Sequence, residues 1–320
     1  MNFKIFCYIL LIVFPSSCGA GENIKSGFSF KETHQGIELF EGANPVFFYQ
    51  KGVTSPDGDS FFNNYIHPLY SLDGDTLTEV SPKDHPFHRG IFWAWHQIYV
   101  DTVRAGDSWI MKNVSFNIKS VKTSQNDHLA QLNLDVLWKS SVFQNNKPFI
   151  EEHTTITVQK STPKFRLIDF EIRLNPLVSG VFIGGSEDEK GYGGFSARIK
   201  LPDDLIFTSE MGPVTPQFLQ IEAGQWMDFS ASFNETKGVN GLTILCHPST
   251  PNYVAPWILR QQKSMQNIVF PGREKVRLAV DSTIVLRYRM IVHKGRANEI
   301  DIPKLQSDYN KLSFDGNFLP

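Results

Sequence analysis

Regular alternation of apolar and polar residues is the feature that most limits what this chain can fold into. The stretches LAQLNLDVLW, residues 129–138, and TIVLRYRMIV, residues 283–292, place apolar side chains at every second position. Successive side chains of a strand point to opposite faces, so each stretch predicts a half-buried strand. Shorter stretches of this kind are FSFKET, VSFNIKSV, HTTITV, RLIDFEIRL, GFSARIKL, WMDFSASF and GLTILCH. Turn-forming residues cluster between them, which predicts an all-β fold, a large antiparallel β-sandwich.

The C-terminal stretch IPKLQSDYNKL has a different pattern. Asp301 precedes it and belongs to the residue types that cap helix N-termini, and Pro303 is tolerated in a first helical turn. The sequence therefore predicts a short C-terminal helix. No internal repeat or low-complexity linker interrupts the chain, so residues 21–320 are expected to form a single domain.

The N-terminus has the pattern of an export signal. Lys4 precedes the apolar run IFCYILLIVF, which is shorter than the roughly 20 residues of a membrane span. Residues 1–20 are therefore expected to be a signal peptide, with Cys18 in a lipobox-like SSC as a candidate lipid anchor. We expect an exported protein, periplasmic or an outer-membrane lipoprotein of a Gram-negative bacterium. Its contact with a membrane would be through that lipid, and Cys246 would have no disulfide partner.

The charge balance argues against nucleic acid as a partner. Lys and Arg number 31 against 33 Asp and Glu, which gives a formal net charge of -2. No long run of basic residues occurs, whereas binding to a phosphate backbone requires concentrated positive charge. We therefore expect no nucleic-acid partner.

The stretch SPKDHPFHRGIFWAWHQ, residues 81–97, concentrates residues that carry chemistry. Alternation through IFWAW would place Trp93 and Trp95 on one strand face, which favours core packing for both rings. His85, His88 and Arg89 are harder to explain as core residues, because buried ionisable groups need partners. A convergent polar site would supply those partners.

Metal binding is an alternative interpretation of this stretch. Asp84, His85 and His88 offer oxygen and nitrogen ligands, and His67 or His247 would complete a set. However, the two histidines lack the i, i+4 spacing that places imidazoles on one helix face. The acidic stretch SEDEKG would suit Ca²⁺, but a solvated turn explains it equally well. We predict no cofactor, with Ca²⁺ or Zn²⁺ as the alternative.

Several stretches also resemble a known family. YIHPLYSLDGDTLTEVSPKDHPFHRGIFWAW, KGYGGFSARI, WMDFS and HPSTPNYVAPWILR occur in this order over nearly the whole chain and are similar to the PmoA-like family of secreted bacterial proteins. The resemblance implies a domain of unknown activity, frequent in polysaccharide-degrading bacteria, with a fold of the galactose mutarotase-like supersandwich type. The family is named after a subunit of a methane oxygenase that spans the membrane several times. This sequence shows no membrane span after its signal, so methane oxygenase activity is not expected.

A carbohydrate site accounts best for the polar loops. Sugar sites pair aromatic rings with Arg, His, Asp and Asn side chains, and histidine transfers protons near neutral pH. The predicted catalytic residues are His85, His88 and Arg89, with Glu187, Glu189 or Glu210 as the complementary carboxylate. The predicted substrate-binding residues are His67, Tyr70, Asp84, Trp93, Trp95, Lys190, Tyr192, Arg198, Asp228, His247, Trp257 and Arg260.

The reaction stays open at the level of sequence. A lyase or epimerase needs an acid and a base around an acidic C–H bond or an anomeric hydroxyl, whereas a glycoside hydrolase needs two carboxylates at a defined separation. All three are compatible with a carbohydrate-active enzyme of polysaccharide breakdown. The alternative is a non-catalytic glycan-binding surface lipoprotein, which needs the same aromatic residues but no acid and base.

Overall fold

A computed structural model describes residues 27–234 and 238–313 of the chain. The predicted signal segment and Cys18 lie outside these residues. The strands are β1 Phe28–Glu32, β2 Gly36–Glu41, β3 Asn44–Gln50, β4 Tyr65–Leu69, β5 Ile91–Ala94, β6 Gln97–Val100, β7 Val103–Gly106, β8 Val114–Gln125, β9 Leu129–Ser140, β10 Ile150–Gln159, β11 Phe165–Pro176, β12 Val181–Gly184, β13 Gly194–Ala197, β14 Ile206–Ser209, β15 Gly212–Pro213, β16 Trp226–Asn234, β17 Gly238–Cys246, β18 Trp257–Ile258, β19 Gln266–Ile268, β20 Val276–Leu278 and β21 Ile284–Lys294. Helix α1 is Ile302–Asn310, and two 3₁₀ turns span Gln144–Asn146 and Ala297–Glu299.

Antiparallel pairing joins these strands into sheets. Within the two described segments, an eight-stranded sheet has the order β1-β2-β3-β4-β5-β13-β19-β18 and a nine-stranded sheet has the order β15-β14-β16-β17-β21-β11-β10-β9-β8. A four-stranded sheet has the order β20-β12-β6-β7. The predicted all-β class is confirmed.

The main core lies between the two larger sheets. Strand β9 buries every second residue, including Leu132, Leu134 and Val136, as its alternation predicts. Strand β5 is buried on both faces, because Trp93 belongs to the main core whereas Phe92 belongs to a smaller cluster behind it. The eight-stranded sheet therefore has apolar contacts on both sides, and loops cover its outer face.

Helix α1 covers the outer face of the nine-stranded sheet. Its N-terminus begins as predicted, since the Asp301 side chain accepts a hydrogen bond from the backbone N–H of Lys304 at 3.0 Å. Ile302 and Tyr309 are buried against Trp226, in an apolar cluster separate from the main core. In the part of the chain that the structure describes, no helix is long and apolar enough to cross a membrane.

A carboxyl group lies inside the main core. Glu152 projects from β10 and is fully buried. Its oxygens accept hydrogen bonds from Trp138 Nε1 at 2.9 Å, Thr154 Oγ1 at 2.8 Å and Asn64 Nδ2 at 3.2 Å. Burial raises the pKa of Glu152, and these donors oppose that shift by favouring the ionised form.

Candidate functional site

The loop at residues 81–90 presents a histidine oriented by an aspartate. His85 Nδ1 lies 2.8 Å from Asp84 Oδ2, and the Arg198 guanidinium binds both Asp84 oxygens at 3.0 and 3.1 Å. Partial burial opposes ionisation of Asp84, but the hydrogen bonds from His85 and Arg198 hold its pKa below the usual range. The carboxylate therefore accepts, His85 Nδ1 carries the proton, and the lone pair is on Nε2.

Local backbone geometry fixes this loop. The backbone N–H of His85 donates to the Pro82 carbonyl and that of His88 donates to the His85 carbonyl, both at 3.0 Å, which makes two successive turns. Gly90 ends the loop with a φ of +48°, and a Cβ there would lie 1.9 Å from the Ile66 carbonyl oxygen. A glycine is required where the loop joins β5, because the backbones approach so closely.

His88 lies beneath His85 and is neutral. The two imidazole rings stack in parallel, with centroids 4.6 Å apart and planes 3° apart. His88 is only 2% exposed, and its Nδ1 has no hydrogen-bond partner in the described structure. Burial, followed by the neighbouring charges of His85 and Arg198, lowers the pKa of His88 to about 2. The prediction that His88 transfers a proton is therefore corrected: it supports the ring of His85.

A second oriented histidine was missed by the sequence reasoning. His96 Nδ1 lies 2.8 Å from Asp107 Oδ2, and its ring stacks on Trp109 at 5.2 Å between centroids. Tyr192 contacts both rings edge to face, at 4.8 Å from His96 and 4.9 Å from Trp109. His96 is the third histidine of the 81–97 stretch, but nothing in the sequence shows that Asp107 returns to it from the next hairpin.

The two histidine–aspartate pairs belong to one cluster. Trp109 joins them, because the His88 ring meets it edge to face at 5.8 Å. The buried nitrogens His88 Nδ1, His96 Nε2 and Trp109 Nε1 have no hydrogen-bond partner among the described residues. We call the rings of His85, His88, His96, Trp109 and Tyr192 the histidine cluster. Its loops cover the outer face of the eight-stranded sheet, where the smaller apolar cluster lies.

Arg89 has a structural position instead of the predicted contact with substrate. Its side chain is fully buried and donates to the carbonyls of Phe87, Trp109 and Ser108 at 3.0 to 3.1 Å. The guanidinium carbon lies 4.7 Å from the centroid of the Phe92 ring. Burial lowers the pKa of Arg89 to about 10. Arg89 holds the two loops of the histidine cluster together.

Other predicted residues form the rim of the cluster. Glu187 pairs with Arg104 at 2.8 Å, and Arg104 also donates to the His96 carbonyl. Lys190 Nζ pairs with Asp188 at 2.9 Å and lies 5.3 Å from the Tyr192 ring centroid.

Phe218 extends this rim, although the sequence reasoning did not select it. Its ring lies 5.2 Å from Lys190 Nζ and is 63% exposed. Arg260 holds it in place by donating to the Phe218 carbonyl at 2.9 Å. Glu189 is exposed on the same turn as Lys190.

His67 lies under the loop and not at its surface. The Nδ1 atom of His67 is 2.9 Å from Thr78 Oγ1. A Cβ added to Gly90 would lie 2.9 Å from the Cβ of His67. Burial, followed by the charge of Lys200, lowers the pKa of His67 to about 4. His67 is therefore a neutral residue that supports the loop.

The predicted tryptophan platform is corrected by burial. Trp93, Trp95 and Trp257 are at most 2% exposed. Trp95 Nε1 donates to the Phe270 carbonyl at 2.9 Å, and Trp257 Nε1 donates to the Gly224 carbonyl at 3.2 Å. All three belong to the main core, so they present no ring face to a ligand.

Four further predicted residues lie apart from the histidine cluster. Asp228 is fully buried on the helix side of the nine-stranded sheet and binds His293 at 2.7 Å. His247 contacts Tyr309 of α1 at 5.0 Å, and Glu210 accepts two bonds at 3.1 Å from Gln225 near the same helix. Tyr70 is half-buried in the short bridge to Thr76. The prediction that these side chains join His85 is corrected.

The residues of the alternative metal set do not assemble. In residues 27–234 and 238–313, no group of three His, Cys, Asp or Glu side chains is arranged to hold a metal ion. Asp84 is bound to Arg198, and His67 lies on the other side of Gly90. In the acidic turn, Asp188 already accepts from Ser186 at 2.7 Å.

The neutral state of His88 predicts a pH-dependent stability. Its pKa is about 2 in the folded protein, and an unfolded histidine has a pKa of about 6.5. Between these values the unfolded chain binds a proton that the folded chain does not, so the free energy of unfolding falls as pH drops below about 6.5. At about 1.36 kcal/mol per pKa unit, His88 alone should lower the free energy of unfolding by about 3 kcal/mol between about pH 7 and pH 4.5.

The measurement is urea unfolding across this pH range for the wild type and His88→Phe, with His128→Phe at an exposed turn as control. His67 acts in the same direction as His88. The raised pKa of Glu152 acts in the opposite direction, because the folded form then holds the extra proton above pH 4.5. The difference between variants isolates His88. Equal slopes for the wild type and His88→Phe would show that His88 is protonated in the folded state.

Fold and site together define a class: an antiparallel β-sandwich protein with two histidine–aspartate pairs in loops on the outer face of one sheet. The chain belongs to DUF6807, a family of unknown function, whose model matches residues 37–306. That description carries no PmoA-like name. A search of the curated proteins found no match.

Solved structures that match this chain include one described as a "putative mutarotase (YeaD) from Salmonella typhimurium". It is 10% identical to this chain, with a TM-score of 0.32, and the match covers 84% of this chain and 90% of that chain. At this level of similarity, neither an activity nor a substrate follows from the match.

Proposed function

We propose that this protein is a carbohydrate-active enzyme that moves a proton on a sugar, in the manner of an epimerase or a lyase. The observation that carries the proposal is the presence of two histidine–aspartate pairs, His85–Asp84 and His96–Asp107, in one ring cluster. An imidazole oriented by a carboxylate supplies the acid or base group that such reactions need.

His85 is the proton-transferring group of this proposal. Its Nδ1 proton is fixed by ionised Asp84, so Nε2 accepts a proton from the substrate. Abstraction at the carbon beside a uronic acid carboxyl leaves a carbanion. Return of a proton from water to the opposite face inverts that carbon. In elimination the carbanion's electron pair forms the double bond, and the neighbouring glycosidic oxygen leaves with the C–O electron pair and takes up a proton.

The rim favours a sugar as the substrate. Sugars present apolar ring faces and hydroxyl edges, and sites for them combine aromatic rings with charged and amide groups. Phe87 and Tyr192 are half-buried beside the histidines, and Phe218 is 63% exposed. Lys190 lies between Tyr192 and Phe218, in reach of a carboxylate or hydroxyl.

Hydrolysis is less well supported by the carboxylates. A glycoside hydrolase needs one protonated carboxyl group and one ionised carboxylate across the scissile bond. Asp84 is ionised and shared between His85 and Arg198, and Glu187 is paired with Arg104. Glu210 lies near α1. The experiment below therefore distinguishes hydrolysis from epimerisation and elimination.

The cellular setting belongs to the same proposal. The sequence pattern supports export through residues 1–20 and lipidation of Cys18. It also supports the PmoA-like resemblance, which is to proteins of polysaccharide-degrading bacteria. An exported enzyme would meet oligosaccharides outside the cytoplasm. N-terminal mass analysis of the protein from its host would test the lipid.

A glycan-binding role without catalysis is the second candidate. The exposed Phe218 ring favours it, because a large exposed aromatic side chain beside Lys190 and Arg260 resembles a binding platform. Under this alternative the histidines would orient hydroxyl groups and no product would form.

The experiment incubates the protein with neutral and uronic oligosaccharides in D₂O and follows mass and proton NMR spectra. Incorporation of deuterium at one carbon with an altered coupling pattern identifies an epimerase, and a new double bond without added water identifies a lyase. Addition of water would refute the proton-transfer proposal in favour of hydrolysis. A His85→Gln/His96→Gln double variant is the blank. Binding without any product would leave the glycan-binding role.

A further inference from the structure

A pocket of about 340 Å³, lined by more apolar than polar surface, lies between helix α1 and the segment that leads into β16. Its walls include Glu210, Gln225 and Trp226 on the sheet side and Gln306 and Asn310 on the helix. The volume is within the range of about 300–1,000 Å³ that small-molecule sites occupy. None of the residues of the histidine cluster lines it.

The lining of this pocket includes a buried amide, that of Gln306, with a free acceptor. Gln306 is only 3% exposed, and its Nε2 donates to the Cys246 carbonyl at 3.0 Å and to Asn310 Oδ1 at 2.5 Å. Both bonds fix the orientation of the amide, because exchanging N and O would break them. Its Oε1 has no partner in the described structure. A buried acceptor without a donor is costly, so a ligand that donates would be stabilised there.

The opposite wall is a second set of acceptors. Glu210 accepts from the backbone N–H and from Nε2 of Gln225, both at 3.1 Å, which leaves further lone pairs on its two oxygens. Gly224 makes room for this carboxylate, since a Cβ there would lie 1.9 Å from Glu210 Oε1. Gln225 is held in turn by Asn310, whose Nδ2 donates to Gln225 Oε1 at 3.2 Å, and by the Tyr253 hydroxyl. The wall is therefore built by side chains that fix one another.

The chemistry of these walls selects a ligand with several hydroxyl groups. The free acceptors are the amide oxygen of Gln306 and the remaining lone pairs of the Glu210 carboxylate, with Lys311 at the rim, so a strongly charged ligand is not favoured. Trp226 and Pro303 add apolar surface. We propose that this pocket binds one unit of a neutral sugar. The proposal does not depend on proton transfer at the histidine cluster.

The test measures binding of methyl glucoside, galactoside and mannoside to the full chain by calorimetry and saturation-transfer NMR. We expect one of them to bind, and Glu210→Gln to weaken it about tenfold or more, because an acceptor becomes a donor. Ser307→Trp, at an exposed helix position lining the pocket, should abolish binding by filling the space. The matched control is Glu222→Gln, on an exposed residue of the same segment but outside the lining.

The outcomes separate this pocket from the histidine cluster. Binding that persists in His85→Gln/His96→Gln but not in Ser307→Trp supports the proposal, whether or not that cluster has an activity. Binding that survives Ser307→Trp, or no binding of any of the glycosides, overturns it. Preference for putrescine over all three glycosides would also overturn it, since the pocket would then recognise amines.

Discussion

Replacing His85 with Gln is expected to lower the turnover rate of the proposed sugar reaction by about 10² to 10⁴-fold, with KM nearly unchanged. Glutamine keeps a polar group near the position of the ring but cannot take up a proton. The loss should fall on turnover because the imidazole acts in the transition state. Deuterium incorporation or product formation gives the rate.

The matched control for this variant is His153→Gln. His153 Nδ1 lies 2.6 Å from Asp135 on the outer face of the nine-stranded sheet, so it is also a histidine paired with an aspartate. It lacks the aromatic loops of the histidine cluster and should leave turnover unchanged. If His85→Gln kept the wild-type rate, or if both variants lost it equally, His85 would not be the proton-transferring group.

Replacing Glu152 with Leu is expected to lower the free energy of unfolding by about 4 kcal/mol, a large part of the roughly 5–15 kcal/mol of a typical domain. The change leaves the indole N–H of Trp138 and the donors of Thr154 and Asn64 without their acceptor inside the core. Leucine relieves the burial of a carboxyl group, but each orphaned donor costs about 1–3 kcal/mol.

Urea unfolding near neutral pH measures this effect, with Glu151→Leu as the control. Glu151 precedes Glu152 on β10, so its side chain points to the other face, where it pairs with Lys119 at 3.1 Å. Its loss should change stability by less than about 0.5 kcal/mol. The free energy of unfolding of Glu152→Gln should lie between those of the wild type and the Leu variant. The amide keeps one oxygen as an acceptor, but its NH₂ group faces a donor. A Leu variant as stable as the wild type would show that the donors find other partners.

The alternation of the chain was sufficient to predict the fold class. The strands at residues 129–138 and 283–292 and the helix capped by Asp301 lie where the pattern places them. Their periodicity is local, so it can be read without knowing what each strand packs against. Strand order depends on pairing between distant segments, such as β11 with β21, and no local pattern encodes it.

The site could be predicted only in part. The stretch at residues 81–97 contributes three rings to the histidine cluster, but composition does not distinguish a partly exposed His85 from a buried His88. That difference depends on the two turns of the loop and on which ring lies underneath. The partner of His96 is Asp107, and their contact requires the β6–β7 hairpin to fold back. An arginine is a suitable residue for a substrate contact, but the guanidinium of Arg89 already donates hydrogen bonds to three backbone carbonyls.

Strand β21 lies between β17 and β11 in the nine-stranded sheet, although it comes last among the strands of the described residues. Strands β8 to β11 and strands β14 to β17 are therefore two separate half-sheets until that segment has been synthesised. Each half ends in an unpaired edge, at β11 or at β17, and such edges pair readily with other chains. Closure also joins residues far apart in sequence, which slows folding. A chain that ends before β21 would expose both edges at once, and the pairing of β21 covers both.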